Sequence, residues 1–427
     1  MDQPAATDSS PVTRLPGARA ALILLLAINL FNYVDRSILY SLTSTIQKEF
    51  GTTNRAMGLL VTAFLVTYML IAPVFGWLGD RWRRWVLIGI GVILWSLASG
   101  GSGLATSYGM LLLMRCLIGV GEAAYGPVAP TLISDLYPVA SRGKVLAWFY
   151  AAIPVGSAIG YMLGGLFAQP GRWHWAFLLT VPPGILLGVL CFVMREPQRG
   201  QSDANQMHTP VTRPPAPRAS IKQYLGFFRI RSYLLNTAGM TAMTFAIGGL
   251  AAWMPTYLEK ERGLSAQSAS TTFGGIIVVA GLAATILGGL AGDALRSRYK
   301  GSYFLVSGLG MLAGFPLFLL ILVTPFPACW VVIFFAVFAL FFNTGPSNTI
   351  IANVIPAGAR AAAFALNILI IHALGDALSP TLIGWIADVS SFKIGFVVVS
   401  FTIAVGGVFW LLGCKHLEQD TLRAAGG

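Results

Sequence analysis

Charge is scarce in this chain. Asp, Glu, Lys and Arg make up 10% of its 427 residues, against about 25% in a soluble globular protein. That shortage excludes a soluble domain of this length. Acidic groups are the rarest, 16 against 28 Lys and Arg, for a formal net charge of +12. No segment joins a basic stripe to a soluble fold, so nucleic acid is excluded as a partner. Cysteine is limited to Cys116, Cys191, Cys329 and Cys414, each alone in or beside an apolar stretch. That spacing offers neither a disulfide framework nor a metal site, and such residues usually pack as small hydrophobes. N-x-S/T sequons are missing, as are G-x-S-x-G and H-E-x-x-H motifs. An intramembrane hydrolase, the competing function class, therefore has no nucleophile or metal to work with. No cofactor and no enzymatic activity are expected.

Apolar sequence is abundant. Hydrophobic residues reach 56% and the mean hydropathy is +0.73. A bilayer core of about 30 Å takes roughly 20 apolar residues in a helix. Twelve stretches qualify, at 20–44, 56–79, 85–105, 109–135, 144–168, 174–194, 232–258, 268–292, 302–324, 328–353, 361–387 and 393–413. The first lacks a convincing cleavage site and is read as a retained span. The expected fold is all-α and polytopic, with twelve transmembrane helices in two pseudo-symmetric six-helix bundles.

Loop charge alternates. Lys and Arg on one side, with the termini and the central linker, number 20, and those on the other side number six. The positive-inside rule then puts both termini and the linker in the cytoplasm. Very short outer loops and the lack of sequons favour a bacterial inner membrane. The expected organisation is a tail at 1–19, a bundle at 20–194, a cytoplasmic linker at 195–231, a bundle at 232–413 and a tail at 414–427. The linker is proline-rich and suits a tether. Its Tyr224–Phe228 end, between Lys222 and Arg229, could lie on the membrane surface or simply run into span seven.

The halves repeat. Gly76-Trp-Leu-Gly-Asp80 returns as Gly289-Leu-Ala-Gly-Asp293, and Tyr137-Pro-Val-Ala-Ser-Arg142 as Ile355-Pro-Ala-Gly-Ala-Arg360. Gln47-Lys-Glu-Phe-Gly51 returns as Glu259-Lys-Glu-Arg-Gly263. A repeated six-span unit places a solute site between the halves near the midplane. Gly156, Gly160 and Gly164 in span five form a doubled small-residue motif for close helix contact.

Gly76-Trp-Leu-Gly-Asp80-Arg81-Trp-Arg-Arg84 resembles the cytoplasmic signature loop of the major facilitator superfamily, departing from it at Arg83 and Trp85. Asn32-Tyr-Val-Asp35-Arg36, Arg115-Cys-Leu-Ile-Gly-Val-Gly-Glu122-Ala-Ala-Tyr125, Ala152-Ile-Pro-Val-Gly-Ser157, Trp173-His-Trp175 and His372-Ala-Leu-Gly-Asp376-Ala-Leu-Ser-Pro380 resemble the Spinster branch. That family is similar to proton-coupled carriers, and its animal members move sphingosine phosphate or lysophospholipids. The resemblance implies a carrier for a lipid-like amphiphile, with the proton as coupling ion. The Asn-Tyr-x-Asp-Arg start is also similar to that of the anion:cation symporters, which leaves a sugar acid or monocarboxylate as the alternative cargo. Such carriers are commonly monomers. Membrane lipids and a small amphiphilic or anionic substrate are the expected partners.

Ionisable groups inside spans are costly, at least about 2.5 kcal/mol each on insertion scales, and mark function. Asp35, Arg115 and Glu122 are the expected proton-coupling network. Arg115 and Glu122 lie seven apart on one face of span four. Arg36 is about 100° round the helix from Asp35 and need not pair with it. Arg115 also serves as the expected anion-binding group. Tyr33, Tyr125, Trp253, Asn343, Ser347 and Asn348 are the expected substrate contacts, with the same-face pair His372 and Asp376. The resemblance implies a cytoplasmic gate at Asp80, Arg81, Arg84, Asp293 and Arg296, which Asp135 and Arg142 could join. Its ion pairs between halves would form when the carrier opens outward.

Overall fold

The computed structural model describes residues 17–137, 139–199, 225–356 and 359–426. The side chain of Arg142 and residues 200–224, which include Lys222 and Tyr224, lie outside the described residues. Among those described, ten helices are long and apolar enough to cross a membrane. Spans four and five complete the twelve. Span four falls short because it is broken after Ala123, which leaves a helix of 16 residues.

The first bundle comprises α1 (Ala18–Phe50), α2 (Asn54–Gly79), α3 (Arg84–Gly103), α4 (Tyr108–Ala123) with α5 (Ala129–Leu136), α6 (Val139–Leu166), and α7 (His174–Leu178) with α8 (Val181–Val193). The second comprises α9 (Arg231–Lys260), α10 (Ala266–Arg296), α11 (Ser302–Ile321), α12 (Ala328–Phe341) with α13 (Thr344–Val354), α14 (Arg360–Ile371) with α15 (Ser379–Val389), and α16 (Phe392–Gly413). A short helix, α17 (Leu417–Gly426), follows where the sequence pattern predicts only a tail.

Spans four, six, ten and eleven are not the continuous rods expected. The α4 helix is capped at Ala124, and α12 at Phe342 in the repeat-equivalent place, so both halves break at one position of the shared plan. A Gly-Pro pair follows each break, Gly126-Pro127 and Gly345-Pro346. Proline lacks the amide hydrogen that would bond one turn back. Span eleven is interrupted by a π-helical turn at His372–Asp376, with Gly375 far from helical geometry at φ −100° and ψ −106°.

Packing of α6 on α1 depends on the glycine stripe. A Cβ at Gly156 or Gly160 would land on the carbonyl oxygen of Leu30 or Val34, and one at Gly164 on Ser41. Without side chains there, the two backbones touch, and dispersion contacts replace the hydrophobic drive that lipid removes.

Among the described residues, the two bundles meet at one end only. Along α2, Gly58 sits against Pro380, and Thr62 bonds the Ala377 carbonyl and the Thr381 hydroxyl. Asn54 lies against Gly384. Tyr161 of α6 donates to the Ala251 carbonyl of α9 at 2.8 Å. Gly165 abuts Ser270 on α10, and the α6–α10 seam continues to Pro154 and Gly281 near the middle. Beyond that depth α5, α13 and α14 pack within their own halves. The structure is therefore closed on the face away from the termini and open on the face that bears them.

Candidate functional site

The ionisable cluster lies at the depth where the halves part, on α1 and α4. Adjacent residues on α1 diverge by about 100°, and that divergence sends Asp35 and Arg36 to different neighbours. Asp35 is 2% exposed and turns into the first bundle, where Ser99 of α3 donates to its carboxylate at 3.1 Å. Arg36 turns towards α4. Its Nε and Nη2 donate to one oxygen of Glu122 at 2.9 and 2.5 Å. The guanidinium carbon sits 5.0 Å from the Tyr33 ring centre, 4.7 Å from Phe64 and 5.8 Å from Tyr68. The Arg36 side chain is 18% exposed and that of Glu122 is 0%. Arg36 is thus the outward member of the pair, and Glu122 the member hidden behind it.

Arg115 takes a different place from the one expected. It shares a face with Glu122, but its Nη2 donates to Ser102 at 2.7 Å and its head lies 5.4 Å from the Phe177 ring centre. It is 3% exposed, and its Nε has no hydrogen-bond partner among the described residues. Asp35 is within its electrostatic reach. A cavity of about 10 Å³ separates Arg115 from Arg36, lined also by Tyr40 and Phe64. That is room for about one water. The sequence pattern points to both acids and one guanidinium. It does not reveal that Arg36 is the direct partner of Glu122.

His372 and Asp376 do meet. Nδ1 lies 2.9 and 3.0 Å from the two carboxylate oxygens. The π turn carries them, and Asp376 packs on Gly248 of α9, where any side chain would collide. Tyr33 stands by Arg36. Asn348 is exposed, with its amide donating to the Thr344 carbonyl.

Four other expected contacts are occupied in packing. Tyr125 is buried and donates to the Leu25 carbonyl at 2.7 Å, with Trp95 and Phe149 against its ring. Trp253 is buried and donates to the Pro380 carbonyl at 2.7 Å. Asn343 is buried and donates to the Leu340 carbonyl. The Ser347 hydroxyl bonds Thr344, and its carbonyl accepts from Asn236. Aromatic and amide residues in spans serve helix packing as readily as binding, so sequence alone does not separate the two uses.

The residues expected in a gate make no ion pair between halves among those described. Arg84 is buried, with Asp135 at 2.5 Å, Glu196 at 2.8 Å and the Pro197 carbonyl at 3.1 Å. It clamps three elements of the first bundle, and Glu196 is a partner that no sequence motif marks. Arg81 lies over the Trp77 ring at 4.2 Å, and Asp80 is exposed. Asp293 accepts from Tyr303 at 2.7 Å, while Arg296 bonds the Lys300 carbonyl. The open face separates the two groups.

Cross-bundle polar contacts gather instead at the closed face. Glu259 accepts from Ser44 and pairs with Lys48 at 3.3 Å. Asp388 of α15 caps α2 of the other bundle. It takes the Asn54 and Arg55 backbone amides and the Asn54 side chain, each at 2.8 Å. A carboxylate at a helix N-terminus satisfies free amides and faces the positive end of the dipole.

Residues 25–380 match the family model of the Major Facilitator Superfamily. The chain is 34% identical to Protein spinster homolog 1 of Xenopus laevis over 440 residues, covering 94% of this chain and 82% of that one. It is 34% identical to Protein spinster homolog 1 of Homo sapiens, covering 97% and 84% respectively. Among solved structures it resembles an inward-facing, unoccupied bacterial homologue of the human lysosomal transporter Spinster. The TM-score is 0.84 at 20% identity, with 96% of this chain and 99% of that chain covered.

Proposed function

The chain belongs to the Spinster family of major facilitator superfamily transporters, and from that premise we propose that it is a proton-coupled secondary carrier of a lipid-like amphiphile, working by alternating access. The observation that carries this reading is the Arg36–Glu122 pair, half-hidden at the depth where the bundles part. While Glu122 is ionised, it holds the guanidinium. A proton on Glu122 removes that hold and leaves Arg36 free to take an anionic headgroup. Losing the headgroup and then the proton restores the pair. Asp35, with Arg115 behind it, is the second proton site, joined to the first across the small cavity.

This coupling meets a thermodynamic requirement. A ligand shifts a two-state equilibrium only through unequal affinity for the two states. An uncompensated guanidinium or carboxylate at midplane depth opposes reorientation, whereas the neutralised pair or the substrate-bound Arg36 does not. His372, Asp376, Tyr33 and Asn348 are the polar contacts left for the cargo headgroup. The gate of Asp80, Arg81, Arg84, Asp135, Asp293 and Arg296 would assemble between halves only after this open face has closed. The protein is a multi-pass membrane protein. Its loop charges support an orientation with both termini in the cytoplasm, and its short outer loops and lack of sequons support a bacterial inner membrane.

The test is uptake by purified protein in vesicles with an imposed pH gradient, offering a lysophospholipid and a hexonate in turn. Gradient-dependent movement of the lysophospholipid alone is expected. Movement of the hexonate alone would transfer the same Arg36 chemistry to an organic anion. Recovery of chemically altered lipid would replace the carrier reading with an enzyme.

A further inference from the structure

The break in span eleven has a consequence on the membrane-facing side of the second bundle. Beyond the π turn, α15 packs on α16, but α14 leans onto α9 and α13 and leaves α16. A groove of about 410 Å³ opens between α9, α14 and α16, floored by Thr237, Ala238, Thr241 and Ala242 and walled by Ile370 and Phe409. It lies away from the central site, because Ile370 and Leu374 flank His372 on the opposite side of their helix. Exposed Leu374 lines it, and exposed Phe401, Val405, Val408 and Leu412 run along α16 beside its lining residues Thr402 and Phe409, so its mouth faces lipid.

The end nearest the termini is basic. Phe228 lines the groove, and Arg229 and Arg231 beside it are exposed, as is Lys415 just past α16. Asp420 accepts from the Ser232 amide, which brings the start of α9 against α17, and burial and then the charges of Arg231 and Lys415 hold the His416 imidazole there below its ordinary pKa. The local acids do not cancel them. Asp420 is buried, accepting from the Ser232 amide at 2.9 Å with Arg423 at 3.6 Å, and Glu418 is the one remaining side-chain carboxylate of α17.

We propose that this groove is a structural lipid site. One acyl chain of an anionic phospholipid, from the leaflet on the side of the termini, lies along α9, and its headgroup rests on Arg231 and Lys415. The volume falls within the roughly 300–1,000 Å³ of ordinary ligand sites. A Lys or Arg near the surface contributes about 1 kcal/mol towards an anionic lipid, which gives the head its selectivity while the slot takes the tail.

Native mass spectrometry of the full chain, offered equal phosphatidylglycerol and phosphatidylcholine, tests this. One phosphatidylglycerol should be retained in preference. Arg231→Gln and Lys415→Gln should each weaken it about fivefold, and Ala238→Phe, which fills the slot, should remove it. Equal retention of the two lipids, retention of detergent alone, or an undiminished preference in the Arg231→Gln/Lys415→Gln variant would overturn the proposal. Because those two side chains are exposed, their replacement leaves the packing intact and decides the matter even if Ala238→Phe does not fold. A phosphatidylglycerol held in the central site would not respond to Arg231→Gln or Lys415→Gln, so these variants separate this groove from whatever the central site carries.

Discussion

Arg36 illustrates how far single residues can be read. Its charge inside a span marks it as unusual, and the 100° step from Asp35 shows that the two need not pair. What the step does not contain is the identity of the neighbouring helix. Only the packing of α1 on its bundle brings Glu122 within 2.5 Å. Removing one member of a buried pair strands the other, at a cost of about 3–5 kcal/mol. Arg36→Met should therefore lower the melting temperature in detergent more than Arg36→Met/Glu122→Gln does. The stranded carboxylate can take a proton, so the single variant should lose less stability in acid than in alkali. A melting temperature that ignores both the second substitution and the pH would mean the pair carries no such load.

At the scale of elements, composition makes the twelve spans legible, and the repeated loops make the two bundles legible. The breaks escape such a reading although their signals are present. Gly126-Pro127 and Gly345-Pro346 follow the ends of α4 and α12, and Gly375 sits in the π turn. Window hydropathy averages over such dipeptides, and prolines are tolerated in spans where neighbours re-satisfy the backbone. The glycine stripe is legible as close packing, while its partner, α1, is not. Gly160→Val should push α6 off α1 and cost about 1–3 kcal/mol. Thermal unfolding checks this, and an unchanged melt would show that the helices can part freely. Gly275, with open space at its Cβ position, is the control.

At the same scale, Asp388 holds the closed face by capping a helix of the opposite bundle. The repeat could not show this, because Asp388 acts on backbone amides and needs no complementary side chain. Asp388→Ala should shift the population towards closure of the other face. Hydrogen bonds to a charged group contribute about 1.5–3 kcal/mol, so the ratio of states should change by roughly tenfold or more. Spin-label distances between the bundles on the face of the termini should shorten. Distances identical to those of the parent would refute the latch.

For the whole molecule, the structure captures one of the two states that alternating access requires. Its bundles touch at the end away from the termini, and the central pair lies at the bottom of the opening. The expected gate residues sit apart, with Asp80 exposed and Arg81, Arg84, Asp135, Asp293 and Arg296 held by partners within their own halves. A cysteine at Asn348 should react with an impermeant thiol reagent from the side of the termini alone. Labelling from the opposite side in the absence of cargo would mean that the resting protein prefers the other state.

The central claim is that a proton on Glu122 couples cargo movement to the pH gradient, and it can be tested by separating exchange from accumulation. In vesicles, Glu122→Gln mimics the permanently protonated acid. It should still exchange labelled for unlabelled cargo, yet lose accumulation driven by a pH gradient. Accumulation equal to that of the parent protein would contradict the account.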